Sequence, residues 1–140
     1  MDIRTQIASA WDEETTCNAN QAAPLTLAFV GDTVYDLYVR TRLLDTRSAA
    51  PHALHLSAAK LVCAAGQAEA FRRVEPELTE EEHAVYKRGR NAHSGTLPKN
   101  ASVADYHTAS GFEALIGWLY LSGQDARMTQ LMRRAFHKED

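Results

Sequence analysis

The 140-residue chain is poor in the features that define several classes of protein. Its only two cysteines, Cys17 and Cys63, have no metal-ligand spacing, and an intracellular chain of this size needs no disulfide, so we expect both to be reduced. No apolar run approaches the roughly 20 residues of a membrane helix, and the N-terminus lacks the basic and apolar regions of a secretory signal. No segment alternates like a strand. We therefore expect an all-α, cytoplasmic protein without a membrane partner.

The chain does contain enough apolar sequence for one folded domain. Apolar residues make up 45% of the composition. A chain of this length buries roughly two-thirds of its unfolded surface when it folds. We expect a single domain over residues 1–140. Residues 1–20 are weakly patterned, and we expect Ile7 and Trp11 to pack on the core.

Helix start and stop signals divide the rest of the chain. Thr79 with Glu82, and Ser102 with Asp105, have the spacing of capping boxes, and Gly123 is placed to end a helix. The predicted helices cover residues 3–11, 22–44, 53–74 (as one or two helices), 79–90, 102–121 and 126–137. Residues 89–100 are rich in Gly, Asn, Ser and Pro and are predicted to form a loop.

Positive charge is concentrated in one part of an acidic chain. The net charge is −3, yet residues 83–104 contain four basic residues and no acid, while the rest holds 11 basic and 18 acidic residues. The four basic residues are Lys87, Arg88, Arg90 and Lys99. Such a concentration is typical of a nucleic-acid contact in a protein that is otherwise acidic.

An acid interrupts the apolar stretch at residues 25–39. Helical spacing places Asp32 on one face with Ala28, Tyr35 and Asp36, in surroundings that we expect to be rigid and mostly buried. A carboxylate in such a place costs several kcal/mol unless a cation meets it. Asp32 is therefore a structural ion-pair partner, a helix-end acid or a metal ligand.

A second apolar stretch, residues 110–120, also contains one acid, Glu113. Gly111 and Gly117 beside it weaken a helix, which indicates that they allow close approach between helices. Such an approach could bring Asp32 and Glu113 side by side. Two facing carboxylates repel, which raises one pKa or recruits a divalent cation, and hard oxygen ligands suit Mg²⁺ or Mn²⁺.

The two acidic motifs together resemble the catalytic domain of the ribonuclease III family. The motifs are Phe-Val-Gly-Asp-Thr-Val at residues 29–34 and Phe-Glu-Ala-Leu-Ile-Gly at residues 112–117. The segment Lys-Arg-Gly-Arg-Asn-Ala-His-Ser-Gly-Thr-Leu-Pro-Lys-Asn at residues 87–100 is similar to that of the Mini-ribonuclease III subfamily, which lacks the double-stranded-RNA-binding domain. The resemblance covers residues 20–135.

The resemblance implies an all-helical homodimer that hydrolyses double-stranded RNA with Mg²⁺, with Mn²⁺ as a possible substitute. For the subfamily it implies maturation of the 23S ribosomal RNA precursor in bacteria. Asp32 and Glu113 match the family's acids and are implied to be catalytic metal ligands. Larger members carry two further acids where this chain has Ala28 and Ser110. Two carboxylates therefore remain, and water must complete the shell of one or two ions.

The basic loop is predicted to enter a groove of the RNA. Duplex RNA is recognised through its shape, phosphates and 2′-hydroxyls. Gly89 and Gly95 would allow close approach to the RNA backbone. The predicted RNA-binding residues are Lys87, Arg88, Arg90, Asn91, His93, Ser94, Thr96 and Lys99. The alternative is a solvated loop whose charge balances the acids at residues 80–82.

The helix around residues 29–38 is predicted to form the homodimer contact, because its apolar residues cover well over half its circumference. These residues are Phe29, Val30, Tyr35, Tyr38 and Val39. The alternative is a central helix buried within one chain. Two other functions fit the residues: a non-catalytic helical RNA-binding or ribosome-assembly module, and a helical protein-interaction domain, which would leave the acid-free basic loop unexplained.

Overall fold

A computed structural model describes residues 2–14, 17–46, 50–92 and 102–137. These residues form seven α-helices and one 3₁₀ turn, with no strand among them, which confirms the all-α prediction. The helices are α1 (Ile3–Ala10), α2 (Pro24–Thr46), α3 (Pro51–Val62), α4 (Ala64–Val74), α5 (Glu80–Asn91), α6 (Val103–Leu121) and α7 (Asp125–Phe136), and the 3₁₀ turn is Glu75–Glu77. None of these helices is long and apolar enough to cross a membrane.

Helix α6 is the centre of the core. Ten of its residues are buried, and α2, α4 and α5 pack around it. Phe112 of α6 meets Tyr35 of α2 at a ring-centroid distance of 5.7 Å and Phe71 of α4 at 5.5 Å. Phe71 in turn stacks on Tyr86 of α5 at 3.9 Å. This aromatic cluster therefore fixes three helices around the residues of α6 that precede Glu113.

The predicted helix caps set where α5 and α6 begin and end. Thr79 and Glu82 form the complete capping box. The Ser102 hydroxyl accepts from the amide of Asp105 at 3.0 Å, but the Asp105 carboxylate pairs with Arg72 at 3.3 Å, so only the N-cap half of the second box is confirmed. Gly123 adopts φ 72° and ends α6 as predicted, because that conformation is strained for other residues.

The structure defines two boundaries that the prediction left open. The backbone is extended at Cys63, with ψ 163°, so residues 53–74 form two helices, which is one of the two predicted arrangements. Helix α5 ends at Asn91, one residue beyond the predicted end at Arg90, so Gly89, Arg90 and Asn91 do not belong to the loop predicted for residues 89–100. The local composition favours a loop there, but Gly89 is buried against α6, and this packing extends the helix.

Helix α1 does not join the core in the predicted way. Ile7 and Trp11 are both exposed, Trp11 by 75%, so the expectation that they pack on the core is wrong. The segment is attached through Arg4, which donates to the Tyr120 carbonyl at 2.9 Å and pairs with Asp125 at 2.6 Å. Polar contacts at the α6–α7 corner therefore hold α1 and leave its apolar side uncovered.

Helix α2 carries apolar residues on both a buried and an exposed side. Tyr35 and Val39 lie in the core at 0% and 1% exposure, so two of the five apolar residues on which the predicted dimer contact was based are buried within the monomer. Phe29 is 82% exposed, Leu37 65% and Leu44 68%. The helix is thus central to the monomer along one side and uncovered along the other.

Candidate active site

Helices α2 and α6 cross with their backbones in contact at two glycines. A Cβ atom on Gly31 would clash with the Glu113 carbonyl oxygen, and one on Gly117 would clash with the Leu27 carbonyl oxygen. No side chain can therefore separate the helices at this point. The predicted role of glycine in close helix approach is confirmed for Gly117, and Gly31 provides the matching surface on α2.

The crossing places the side chains of Asp32 and Glu113 within hydrogen-bonding range of each other. Asp32 follows Gly31 directly, so its side chain leaves the helix about 100° around from the contact line, at the edge of the crossing. Asp32 is exposed to solvent, and the expectation of mostly buried surroundings for it is wrong. Glu113 is the more enclosed of the two, and half-buried.

The environment of Glu113 opposes its ionisation. Burial, followed by the hydrogen bond and the negative charge of Asp32, raises the pKa of Glu113 from 4.5 to about 9, against an opposing hydrogen bond from Gln67. At neutral pH the pair thus holds a proton between its two carboxyl groups. A divalent cation could replace that proton and let both groups ionise.

The donor set fits a divalent cation with a partly open shell. Asp32 and Glu113 offer hard oxygen ligands, which suit Mg²⁺ or Mn²⁺. Within the described ranges no group of three or more His, Cys, Asp or Glu side chains could hold a metal ion. Ala28 and Ser110 add no carboxylate to the site. Most ligands of a bound ion would therefore be water or substrate oxygens.

The predicted RNA-binding residues fall into two groups. Lys87 and Arg88 are exposed at the end of α5. Arg90 lies 5.6 Å from the centre of the Tyr86 ring, and its Nε donates to the side chain of exposed Asn91 at 3.3 Å. The remaining four, with Gly95, lie outside the described residues: His93, Ser94, Thr96 and Lys99.

Gly89 packs against protein and cannot approach RNA as predicted. A Cβ on it would meet Ala114 and the backbone of Gly111, the residues on either side of the Phe112–Glu113 pair. The close approach that the sequence indicated is therefore made to α6. As a result, the basic end of α5 is anchored beside the α6 segment that carries Glu113.

Sequence reasoning missed Gln67 of α4. Its side chain is buried, its Nε2 donates to the Val62 carbonyl at 3.2 Å, and its amide lies close enough to Glu113 to favour the ionised form of that carboxyl group. The only signal in the sequence is a single polar amide in an Ala- and Gly-rich stretch, residues 64–70. Nothing in its spacing indicates a link to Glu113.

Comparisons with known proteins agree with this fold. Residues 25–124 match the Ribonuclease III domain. Mini-ribonuclease 3 of Brevibacillus brevis is 46% identical over 124 residues, covering 89% of this chain and 92% of that protein. Mini-ribonuclease 3 of Thermoanaerobacter sp. is 44% identical over 110 residues, 79% of this chain and 78% of that protein. The crystal structure of protein FN1578 from Fusobacterium nucleatum matches with a TM-score of 0.74 at 26% identity, covering 81% of this chain and 90% of that one.

The helical fold and these matches define an endoribonuclease domain. The chain belongs to the ribonuclease III family and, within it, to the Mini-ribonuclease III group. The resemblance drawn from the two acidic motifs and the basic segment is thereby confirmed. Its substrate class is RNA, and enzymes of the family generally use a divalent metal.

We expect Glu113→Gln to stabilise the metal-free protein increasingly as pH rises. Folded Glu113 keeps its proton up to about pH 9, whereas the unfolded chain loses it near 4.5. The folded state binds more protons between these values, so the wild-type free energy of unfolding falls as pH rises through the window. Glutamine has no such loss, so the free energy of unfolding of the variant relative to the wild type should rise by about 1.4 kcal/mol for each pH unit between pH 5 and pH 8.

Urea denaturation with EDTA at about pH 5 and about pH 8 measures this difference. Glu69→Gln is the control, because it makes the same chemical change at an exposed position. A difference for Glu113→Gln that is the same at both pH values would show that Glu113 ionises normally.

Proposed function

We propose that this chain is an Mg²⁺-dependent endoribonuclease that cleaves double-stranded RNA, and that Mn²⁺ can substitute for Mg²⁺. We propose further that it acts as a cytoplasmic homodimer, with residues 1–140 as one catalytic domain, in maturation of the 23S ribosomal RNA precursor. The observation that carries the proposal is the pairing of Asp32 with Glu113 at the α2–α6 crossing. Membership in the family supports the reaction class.

In the proposed mechanism, Asp32 and Glu113 would both ligate the metal ion, and each would have a different role. When bound, a divalent ion supplies charge that polarises the scissile phosphate and lowers the pKa of a water. Asp32 is exposed and can act where the substrate arrives, whereas Glu113 is fixed by the helix crossing and by Gln67. No side-chain nucleophile is required, so the protein's contribution is to position two negative charges.

Binding of duplex RNA is supported by the basic end of α5. Exposed Lys87 and Arg88 are placed to contact phosphates, and Asn91 adds neutral donors and acceptors. The proposed contact surface continues through His93, Ser94, Thr96 and Lys99. Gly89 packs against α6 and so fixes the basic end of α5 on the helix that also carries Glu113.

The homodimer is supported by the uncovered side of α2. Phe29 projects into solvent three residues before Asp32. Ile3 and Ile7 of α1 face Val30 and Leu37 of α2 across an apolar groove of about 830 Å³. An exposed phenyl ring beside an apolar groove suits a self-complementary contact, in which each copy supplies both features.

We expect Asp32→Asn and Glu113→Gln each to reduce cleavage of a long RNA duplex by roughly 100-fold or more in Mg²⁺, while leaving folding nearly intact. Each change keeps the side-chain shape and removes a metal ligand's charge. The assay compares cleavage with and without Mg²⁺, with Glu69→Gln as a control that should match the wild type. Turnover near the wild-type value in either site variant would refute the assignment. If the wild-type protein binds the duplex but does not cleave it with Mg²⁺, the alternative function, a non-catalytic RNA-binding module, would be favoured.

We expect light scattering at micromolar concentration to give twice the 15.5 kDa chain mass for the wild type. Phe29→Glu should give the monomer mass, because it places a charge where the ring would be buried. Leu56→Glu is the control, since Leu56 is 55% exposed on α3 and its change should leave the dimer intact. A monomeric wild type would contradict the proposal.

We expect Arg88→Ala and Lys99→Ala each to weaken binding to all RNA duplexes. Each change should make the plot of log affinity against log salt shallower by somewhat under one unit, a value taken from DNA. Arg90→Ala should have a smaller effect, because Arg90 is engaged with Tyr86 and Asn91.

Binding should be measured in EDTA to prevent cleavage, with exposed Arg133→Ala as a control of equal charge. An unchanged affinity and slope in the Arg88, Arg90 and Lys99 triple variant, with its helicity intact, would contradict this contact.

A further inference from the structure

Gln67 is a buried polar side chain attached to the acid pair. It is 2% exposed and lies on α4, one turn after the break at Cys63. Burying an amide costs free energy unless its donors and acceptors find partners. A small apolar residue would continue the Ala-rich pattern around it, so the presence of an amide here calls for an explanation.

The hydrogen bonds of Gln67 fix the orientation of its amide. The Val62 carbonyl can only accept, so the atom 3.2 Å from it is the donor nitrogen, Nε2. That carbonyl lies at the end of α3, where helix carbonyls lack partners within their own helix. Nε2 has a second N–H, and the same side chain lies close enough to Glu113 to favour the ionised form of its carboxyl group. The amide thus connects the end of α3 to the carboxylate of Glu113.

The acceptor end of the amide adds a second observation. Oε1 of Gln67 is buried and has no hydrogen-bond partner. The nitrogen end of the amide makes the hydrogen bond to Val62, whereas the oxygen end makes none. This arrangement favours delivery of an N–H to Glu113 over simple filling of the core.

We infer that Gln67 is a positioning residue, which holds the Glu113 carboxylate turned toward Asp32 so that both acids can ligate one divalent ion. The inference rests on the proposed metal-dependent function. A neutral donor suits this place, because it stabilises a carboxylate without adding a third negative charge. Metal ligands are commonly oriented in this way by partners that do not touch the metal.

The inference predicts weaker metal binding when the donor is removed. Gln67→Met keeps the length of the side chain but has no N–H, and we expect the Kd for Mn²⁺ to rise about 10-fold or more, as for other residues that orient metal ligands. Gln21→Met is the control, because it makes the same chemical change at an exposed position and should leave the Kd unchanged. Binding of Mn²⁺ to the folded, RNA-free protein can be measured by electron paramagnetic resonance.

A double-mutant comparison separates positioning from a purely structural role. If Gln67 acts through Glu113, then Gln67→Met should cause little further loss of Mn²⁺ affinity when Glu113→Gln is already present. A structural role predicts a lower Tm with an unchanged Kd for the folded protein. A Kd within twofold of the wild-type value in folded Gln67→Met would overturn the inference.

If Gln67→Met does not fold, Gln67→Asn provides the test. It keeps an amide but withdraws it from Glu113 by one methylene, so the same rise in the Mn²⁺ Kd is expected, and a wild-type Kd would again overturn the inference. These Mn²⁺-binding measurements are made without RNA. Mn²⁺ affinity that depends on Gln67 and Glu113, in a protein that does not cleave RNA, would support the positioning role and contradict only the proposed function.

Discussion

The backbone contact between α2 and α6 is the constraint on which the rest of the structure depends. Gly31 and Gly117 let the two helices touch at a point where any added Cβ would strike a carbonyl oxygen of the other helix. Glycine weakens each helix by up to about 1 kcal/mol relative to alanine. That cost is offset by the burial of Leu27, Leu115 and Ile116 close to the crossing.

The crossing also creates an electrostatic conflict. It brings together two carboxyl groups, and burial, followed by the hydrogen bond and the negative charge of Asp32, raises the pKa of Glu113 to about 9. The fold therefore carries an unfavourable pair that a proton or a cation can relieve. In a member of an RNA-cleaving, metal-using family, the proposed role of this unfavourable carboxyl pair is to bind a divalent ion. The same crossing leaves Asp32 accessible and Glu113 enclosed, which gives the two acids different roles.

The close packing extends from the crossing to the proposed RNA contact. Gly89 of α5 lies against Gly111 and Ala114, so α5 also packs closely on α6, although less closely than α2 does. The aromatic cluster of Tyr35, Phe71 and Phe112 completes the support. A change in the small residues of α6 would thus affect both the acid pair and the basic end of α5.

Local signals in the sequence predicted the helices well. The capping residues Thr79 and Ser102 and the terminator Gly123 act within a few residues of their own positions, so their effects can be read without the fold. The two acidic motifs predicted the family and the meeting of Asp32 with Glu113. These features depend on short-range chemistry or on a recognisable pattern.

The features that could not be predicted depend on packing between distant segments. The exposure of Asp32 and the burial of Tyr35 and Val39 depend on which side of α2 packs against the other helices, and helical spacing alone does not identify that side. Residues 89–91 belong to helix α5 and not to the predicted loop, because Gly89 packs against α6. Gln67 contacts Glu113 only because α4 also packs on α6.

The central claim is that Asp32 and Glu113 form a strained acid pair that a divalent ion relieves. An NMR titration of the Glu113 side-chain carboxyl carbon, with and without Mg²⁺, tests it most directly. We expect Glu113 to titrate near 9 in the metal-free protein and well below neutrality at saturating Mg²⁺. Titration near the ordinary value of 4.5 without metal, and no response to Mg²⁺, would contradict the account.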